Sequence, residues 1–379
     1  MQNTEAMPPR FILFRSCFPA AKAILYARPL TAYIPTATMD ESFLIKPDEL
    51  TLRFQHPTGP RRLSFAHFDS NPNEWRESCR AKLIELLALE KPSPCPVATH
   101  RDTEIEGVEV EALVMQVNDR LSLPAYILVP KEIEKSAVMA IHGHGTVGPA
   151  IGLADDYHHR FALELAKAGH LVLCPELRGF GALQDIAAQE EGLRLDYWTD
   201  AGPRGFSLSS DGFQRGWPLL GQTIEDLMRW EDWLAREYEE QELDAVGISY
   251  GGDLALSYPV FSARVRKIFA SGSLGSFTAI YARCYNAPAH CIPKVLEWMD
   301  RADIAGLNAP RPIALHYGEL DTPGRDDYSA SYNETVEPAI AELRAIYQAF
   351  GAADAIQRLV SPQKGHEMDN AALLNFLAA

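Results

Sequence analysis

The 379 residues carry a formal charge of −16 and 47% hydrophobic side chains, ample for a sizeable core in one large decorated domain or in two. That charge argues against nucleic acid or an anionic membrane surface as partner, and no run of 18 or more uninterrupted apolar residues is present to span a bilayer. Cys17, Cys79, Cys95, Cys174, Cys284 and Cys291 are scattered with no C-x-x-C pair, so a disulfide framework is not expected and a cytoplasmic location fits.

Residues 1–38 stand apart as a leader or arm. Arg10, Arg15, Lys22 and Arg28 against Glu5 give +4 − 1 = +3. The segment lacks a clean apolar h-region, which excludes a secretory signal. A mitochondrial presequence, an arm packed on the domain and an extension upstream of a start at Met39 all remain open. Residues 39–100 form an N-terminal helical extension, with apolar positions at helical spacing over 75–87 and a linker marked by Pro92, Pro94 and Pro96. Strands are predicted over 103–110, 111–117 and 123–129.

From residue 137 strands and helices alternate. Strands are predicted over 137–141, 170–174, 243–248, 265–270, 312–317 and 355–360, and helices over 157–168, 222–239, 252–261, 336–350 and 370–378. This alternation predicts an α/β domain over 101–379: a mainly parallel twisted sheet with helices on both faces and its chemistry at the carboxyl edge. Two insertions, 182–221 and 276–309, interrupt it. Their aromatic residues Trp198, Phe206, Phe213, Trp217, Phe277, Tyr281 and Tyr285 suit an ordered lid or pocket wall rather than a structureless loop.

The chemistry centres on Gly247-Ile248-Ser249-Tyr250-Gly251-Gly252. G-x-S-x-G between a strand and a helix can force a serine onto a tight turn with its hydroxyl exposed. Such a serine needs a base, expected on the loop after the last strand, where His366 stands. The group that orients the imidazole is expected after the preceding strand. Asp321 is favoured there, with Glu319 as substitute. The order Ser249, Asp321, His366 is the one this architecture uses. Two backbone N–H groups must receive the developing oxyanion: Tyr250, directly after the serine, and His144 in His142-Gly143-His144-Gly145, with Gly143 or Gly145 as fallback. Trp217, Arg215, Phe213 and Arg178 are the expected substrate-binding residues, although Arg178 could instead pair with a buried carboxylate. His142 and His144, with Asp155, Asp156, His158 and His159 downstream, invite a metal-site reading. The Asp-His expected directly after the second histidine is missing, and 155–159 looks like a helix start, so neither metal nor cofactor is expected.

These motifs carry a family likeness. H-G-H-G at 142–145, P-E-L-R-G-F-G at 175–181, G-I-S-Y-G-G at 247–252, G-E-L-D at 318–321 and K-G-H-E at 364–367 resemble the α/β-hydrolase superfamily. Within it, the chain is similar to the acetyl xylan esterase and dienelactone hydrolase-like branch over roughly residues 70–379. The helical run 75–87, Cys291-Ile292-Pro293, Asp303-Ile304 and Ala309-Pro310-Arg311-Pro312 share in the likeness. Dienelactone hydrolases proper use a cysteine nucleophile where this chain has Ser249, which argues against dienelactone as substrate. The resemblance implies a serine-dependent hydrolase of small carboxylic esters, acetyl esters foremost, acting through an acyl-enzyme on a small-molecule partner; it leaves a homo-oligomer open. Two rivals are a serine peptidase of the prolyl-oligopeptidase type and a non-catalytic binding protein on the same fold. About 100 residues before the core leave little room for the peptidase's filtering domain, and an intact Ser249, Asp321 and His366 argues against a silent copy.

Overall fold

The computed structural model describes residues 60–68, 71–183, 205–238, 242–277, 288–321 and 332–379. The leader 1–38, Met39, Trp198, Tyr281 and Tyr285 lie outside them.

Nine strands form one sheet in the order β1-β2-β3-β5-β4-β6-β7-β8-β9. β1 (Val97–Ile105), β2 (Val108–Gln116) and β3 (Ser122–Val129) make an antiparallel flank, and β3 runs antiparallel to β5 (Leu171–Pro175). From β5 onward every pairing is parallel, through β4 (Ala137–Ile141), β6 (Leu243–Ile248), β7 (Val265–Ser271), β8 (Ile313–Gly318) and β9 (Ile356–Ser361). All residues of β4, β5, β6 and β8 are buried. That explains their continuous apolar character, since a parallel strand covered on both faces needs no polar alternation. The predicted boundary between the first two strands, at 110/111, is displaced. The hairpin turns at Glu106-Gly107, both with positive φ (50° and 86°), where glycine accepts a left-handed backbone without strain.

The described helices are α1 (Pro72–Leu87), α2 (Gly148–Ile151), α3 (Phe161–Lys167), α4 (Phe206–Arg215), α5 (Leu219–Glu237), α6 (Tyr250–Ser257), α7 (Arg301–Gly306), α8 (Tyr332–Ala349) and α9 (Asn370–Ala378). The side chain of Asn71 caps α1 by accepting the N–H groups of Asn73 and Glu74. Trp75, Cys79, Leu83 and Leu87, four residues apart, place one face of α1 in the same apolar cluster as Leu173 of β5 and Ala245 of β6. Burying a side chain of that size contributes roughly 1.5–3 kcal/mol. No helix among the described residues is long and apolar enough to cross a membrane.

The helix predicted over 157–168 begins four residues late. His159 and Arg160 adopt positive φ (49° and 54°), so α3 starts only at Phe161. Within the displaced turn, Tyr157 and His158 instead direct their side chains to the loop that follows β4.

Sheet order fixes where chemistry can occur. The chain passes from β4 to β5 on one side, then crosses to β6 on the other. The carboxyl ends of β4 and β6 therefore flank a crevice at the point where the order reverses.

Candidate active site

Ser249 sits at the end of β6 with φ 59° and ψ −120°, a conformation costly for a residue with a Cβ. The turn closes because its flanking glycines let backbone approach backbone. A Cβ on Gly247 would collide with Gly251 O, and one on Gly251 with Ile141 O. The Ser249 N–H donates to Ser271 O at 2.8 Å, and Ser249 O accepts from Asp253 N at 3.1 Å and from Ser273 Oγ at 2.6 Å. Backbone and a neighbouring hydroxyl thus hold the strained residue.

Next to this turn, at the end of β7, Gly272 takes φ 56° and cradles an imidazole: a Cβ there would overlap the ring of His366 and lie 3.3 Å from Asp321 Oδ2. His366 Nδ1 is 2.9 Å from Asp321 Oδ1. Asp321 is 1% exposed and His366 is partly open to solvent. The Asp321 carboxylate accepts from His366 Nδ1–H. Glu319 turns elsewhere; its Oε2 accepts from Gln363 N and Nε2 at 2.9 and 3.1 Å. The ends of β6, β7 and β8, adjacent in the sheet, therefore gather Ser249, His366 and Asp321.

The loop after β4 forms the other wall. A Cβ on Gly143 would lie 3.0 Å from Ser249 Cβ, so this loop adjoins Ser249. Gly143 N–H donates to His158 Nε2 at 2.8 Å. This removes Gly143 from the three expected oxyanion donors of the loop and leaves His144 and Gly145. Tyr250 N–H heads the first turn of α6, where N–H groups have no partner within the helix. The His144 ring packs against Phe180 (5.4 Å), Tyr250 (5.7 Å) and His290 (5.2 Å, stacked).

Of the expected substrate-binding residues, Arg178 is committed to protein partners. Its Nε and Nη2 donate to Asp226 at 2.5 and 2.9 Å, its Nη1 donates to Gln222 at 2.8 Å, and its guanidinium lies over the Trp217 ring at 5.7 Å. Arg215 pairs along α4 with Asp211 on an exposed face. Phe213 and Trp217 are both exposed, at 36% and 37%. The histidines that invited a metal reading have other occupations. His142 Nε2 accepts from Leu177 N at 3.1 Å, His158 faces Asp156 at 2.6 Å, and His159 bonds Glu367. Among the described residues no group of three metal-ligating side chains converges.

Sequence reasoning missed Asp253, His290 and Arg301. Asp253, one turn after Ser249, is paired with both His290 and Arg301. Burial works against this carboxylate, but the Arg301 guanidinium and the His290 contact outweigh it and hold its pKa below the ordinary value. The three border a small cavity of about 30 Å³, otherwise lined by Ser257 and by apolar residues such as Leu274, Phe277 and Ile292. Only the G-G-D after the serine signals it, since its partners lie 37 and 48 residues away in sequence.

This sheet, with a serine on the strained turn after β6 and a His–Asp pair at the neighbouring strand ends, is the α/β-hydrolase fold. No family model matches the chain. Its sequence is 26% identical over 313 residues to a Bacillus subtilis (strain 168) protein provisionally named hydrolase YtaP, spanning 77% of this chain and 94% of that one. Among solved structures it is similar to a protein from Bacteroides fragilis NCTC 9343 provisionally named acetyl xylan esterase (TM-score 0.64, 19% identity, 84% of this chain and 82% of that one). It is similar also to a glucuronoyl esterase from Solibacter usitatus (TM-score 0.57, 12% identity, 85% and 97%). At these identities the structural likeness concerns the fold.

Proposed function

We propose that the protein is a serine-dependent hydrolase of small carboxylic esters, acetyl esters foremost. The observation that carries this reading is the strained Ser249 at the end of β6, beside a His366–Asp321 pair seated on Gly272. The esterase names of the structural neighbours favour an ester over a peptide bond.

Ser249 Oγ attacks the ester carbonyl carbon while its proton passes to His366 Nε2. Asp321 stabilises the resulting imidazolium through Nδ1–H without taking the proton itself. The carbonyl oxygen becomes an oxyanion and receives the N–H groups of Tyr250 and His144. Collapse breaks the bond to the alcohol oxygen, which leaves with the proton from His366 and yields acyl-Ser249. Water, deprotonated by the same imidazole, then releases the acid and restores the serine.

The test is active-site labelling with a fluorophosphonate, combined with turnover of p-nitrophenyl acetate and of aminoacyl anilides. Wild type should label at Ser249 and prefer the ester. A well-folded Ser249→Ala protein should lose both label and turnover, by roughly four to six orders of magnitude in kcat. Full activity in that variant, or preference for the anilide, would reject the reading.

A further inference from the structure

The segment Asp156-Tyr157-His158-His159 has no part in the chemistry above, yet its side chains reach both loops that flank the nucleophile. Hydrogen-bond polarity fixes the tautomers. Gly143 N–H donates to His158 Nε2 at 2.8 Å, so that nitrogen carries a lone pair, and the ring proton sits on Nδ1, facing Asp156 Oδ1 at 2.6 Å. The Gly143 carbonyl can only accept, so its 2.8 Å contact with His142 Nδ1 places a proton on that nitrogen, while His142 Nε2 lies 3.1 Å from both Leu177 N and Glu176 Oε1. The Tyr157 hydroxyl donates to His144 O, also at 2.8 Å.

These contacts grip three consecutive peptide planes. His158 holds the 142–143 peptide by its N–H. His142 holds the 143–144 peptide by its C=O, and Tyr157 holds the 144–145 peptide by its C=O. In a planar trans peptide the C=O and N–H point in opposite directions. Fixing Gly143 O therefore fixes the direction of His144 N–H, and fixing His144 O does the same for Gly145 N–H. Tyr157 also stacks on His366 (centroids 5.7 Å, interplanar angle 28°), and its carbonyl accepts Met368 N at 2.9 Å. His159 adds its bond to Glu367. One short segment thus ties the loop after β4 to the loop that carries the base.

We propose that Tyr157 and His158, the latter oriented by Asp156, are positioning residues that aim the backbone N–H groups of the His144 turn at the oxyanion and hold them in register with His366. The proposal rests on the ester-hydrolase reading. It explains why a buried, uncharged imidazole is placed here. Burial depresses the proton affinity of His158, although Asp156 opposes this; His142 and His366 add to the depression, so the lone pair that Gly143 needs is kept. It also explains the positive φ at His159 and Arg160, which delays α3 and frees the segment to turn back.

The test compares full-length wild type with Tyr157→Phe, His158→Phe and His158→Gln. The measurements are kcat and KM for p-nitrophenyl acetate, fluorophosphonate labelling and Tm. Tyr157→Phe keeps the ring on His366 and removes only the hydroxyl. It should lower kcat about 10-fold with KM changed less than about 2-fold and Tm nearly unchanged. His158→Phe should lower kcat about 100-fold, on the scale of a lost or misaimed oxyanion donor. His158→Gln, whose amide oxygen can accept Gly143 N–H, should recover about 10-fold of that. Should His158→Phe not fold, Tyr157→Phe decides alone. Folded variants with kcat within about 2-fold of wild type, while wild type labels and turns over, would overturn the positioning role; so would equal kcat in the Gln and Phe variants at His158. Wild type that neither labels nor hydrolyses any ester would overturn the underlying reading, and the inference with it.

Discussion

The turn that carries Ser249 and the loop that carries His144 lie side by side at the ends of β6 and β4, but they are held by different means. The serine turn is held mainly by backbone. Ser249 N–H bonds Ser271 O, Gly272 N–H bonds His316 O, and the acid and base loops are joined by Glu319 N to Ser361 O and Leu320 N to Lys364 O. The His144 loop is held by side chains: His142, Tyr157, His158, and Glu176, whose Oε1 accepts Val147 N at 3.2 Å. A wall held by backbone tolerates most side-chain changes and is broken at the groups that react or at the glycines whose close approaches shape it. A wall held by side chains can be misaimed by a substitution that never touches substrate.

The sharpest test of the backbone-held wall is its acid. Asp321→Asn keeps the size of the side chain, but an amide cannot balance the imidazolium and can stabilise the wrong tautomer. A loss of about 10³- to 10⁴-fold in kcat is expected. Glu319→Gln, two residues away and directed at Gln363, should stay within about 3-fold. Steady-state kinetics on p-nitrophenyl acetate, with circular dichroism to verify folding, compare the two. A crippling Glu319→Gln beside a mild Asp321→Asn would move the acid by two residues.

A second test concerns stability beneath the same wall. His316 is fully buried in β8. Ser361 Oγ donates to Asp369 at 2.6 Å and so accepts from His316 Nε2–H at 2.9 Å, while His316 Nδ1 accepts from Ser271 Oγ at 2.8 Å. Burial lowers its pKa from 6.5 to about 4. The sign follows. Between these values the unfolded chain binds a proton that the folded chain refuses, so the stabilisation is complete above about pH 6.5 and is lost as pH falls toward 4. The window is worth on the order of 3 kcal/mol. His158 and His170, whose pKa values are also depressed, first by burial, act in the same direction. Urea denaturation at pH 7 and pH 5 should show a smaller loss of stability in His316→Gln than in wild type. An equal loss in both would mean that other groups set the acid sensitivity.

What could be read from the sequence divides along the same line. Strand and helix alternation from residue 137, and the glycine spacing around Ser249, come from local rules of period and sterics, and each parallel strand appears within about a residue or two of its predicted bounds. The placement of Asp321 and His366 after successive strands follows from strand order. The grip on the His144 loop joins residues 13 to 35 positions apart, and no periodicity announces which of eleven histidines will meet which carbonyl. The histidines at 158 and 159 therefore read as a metal motif or a helix start, whereas their contacts required the left-handed residues 159 and 160. The Asp253–His290–Arg301 group escaped notice for the same reason.

The smallest expected effect lies at the outer flank of the side-chain-held wall, and it separates specificity from scaffolding. The Trp217 indole is 37% exposed. It is covered on one side by Arg178, which Asp226 fixes bidentately. Arg178 belongs to the same loop as Phe180, whose ring packs on His144. A large ring with few rotors, backed by a fixed guanidinium, suits a boundary that limits how far an acyl chain can extend. Trp217→Ala would then open room without disturbing Ser249 or the oxyanion donors. Activity on acetyl esters should fall by no more than about 2-fold, while the octanoyl-to-acetyl ratio of kcat/KM should rise about 3- to 10-fold. That is the scale of apolar discrimination a pocket wall provides. The measurement is kcat/KM along a p-nitrophenyl series from two to eight acyl carbons for wild type and variant. A uniform loss at every length would make Trp217 a support for Arg178 rather than a boundary, and a flat wild-type profile would remove the short-acyl preference itself.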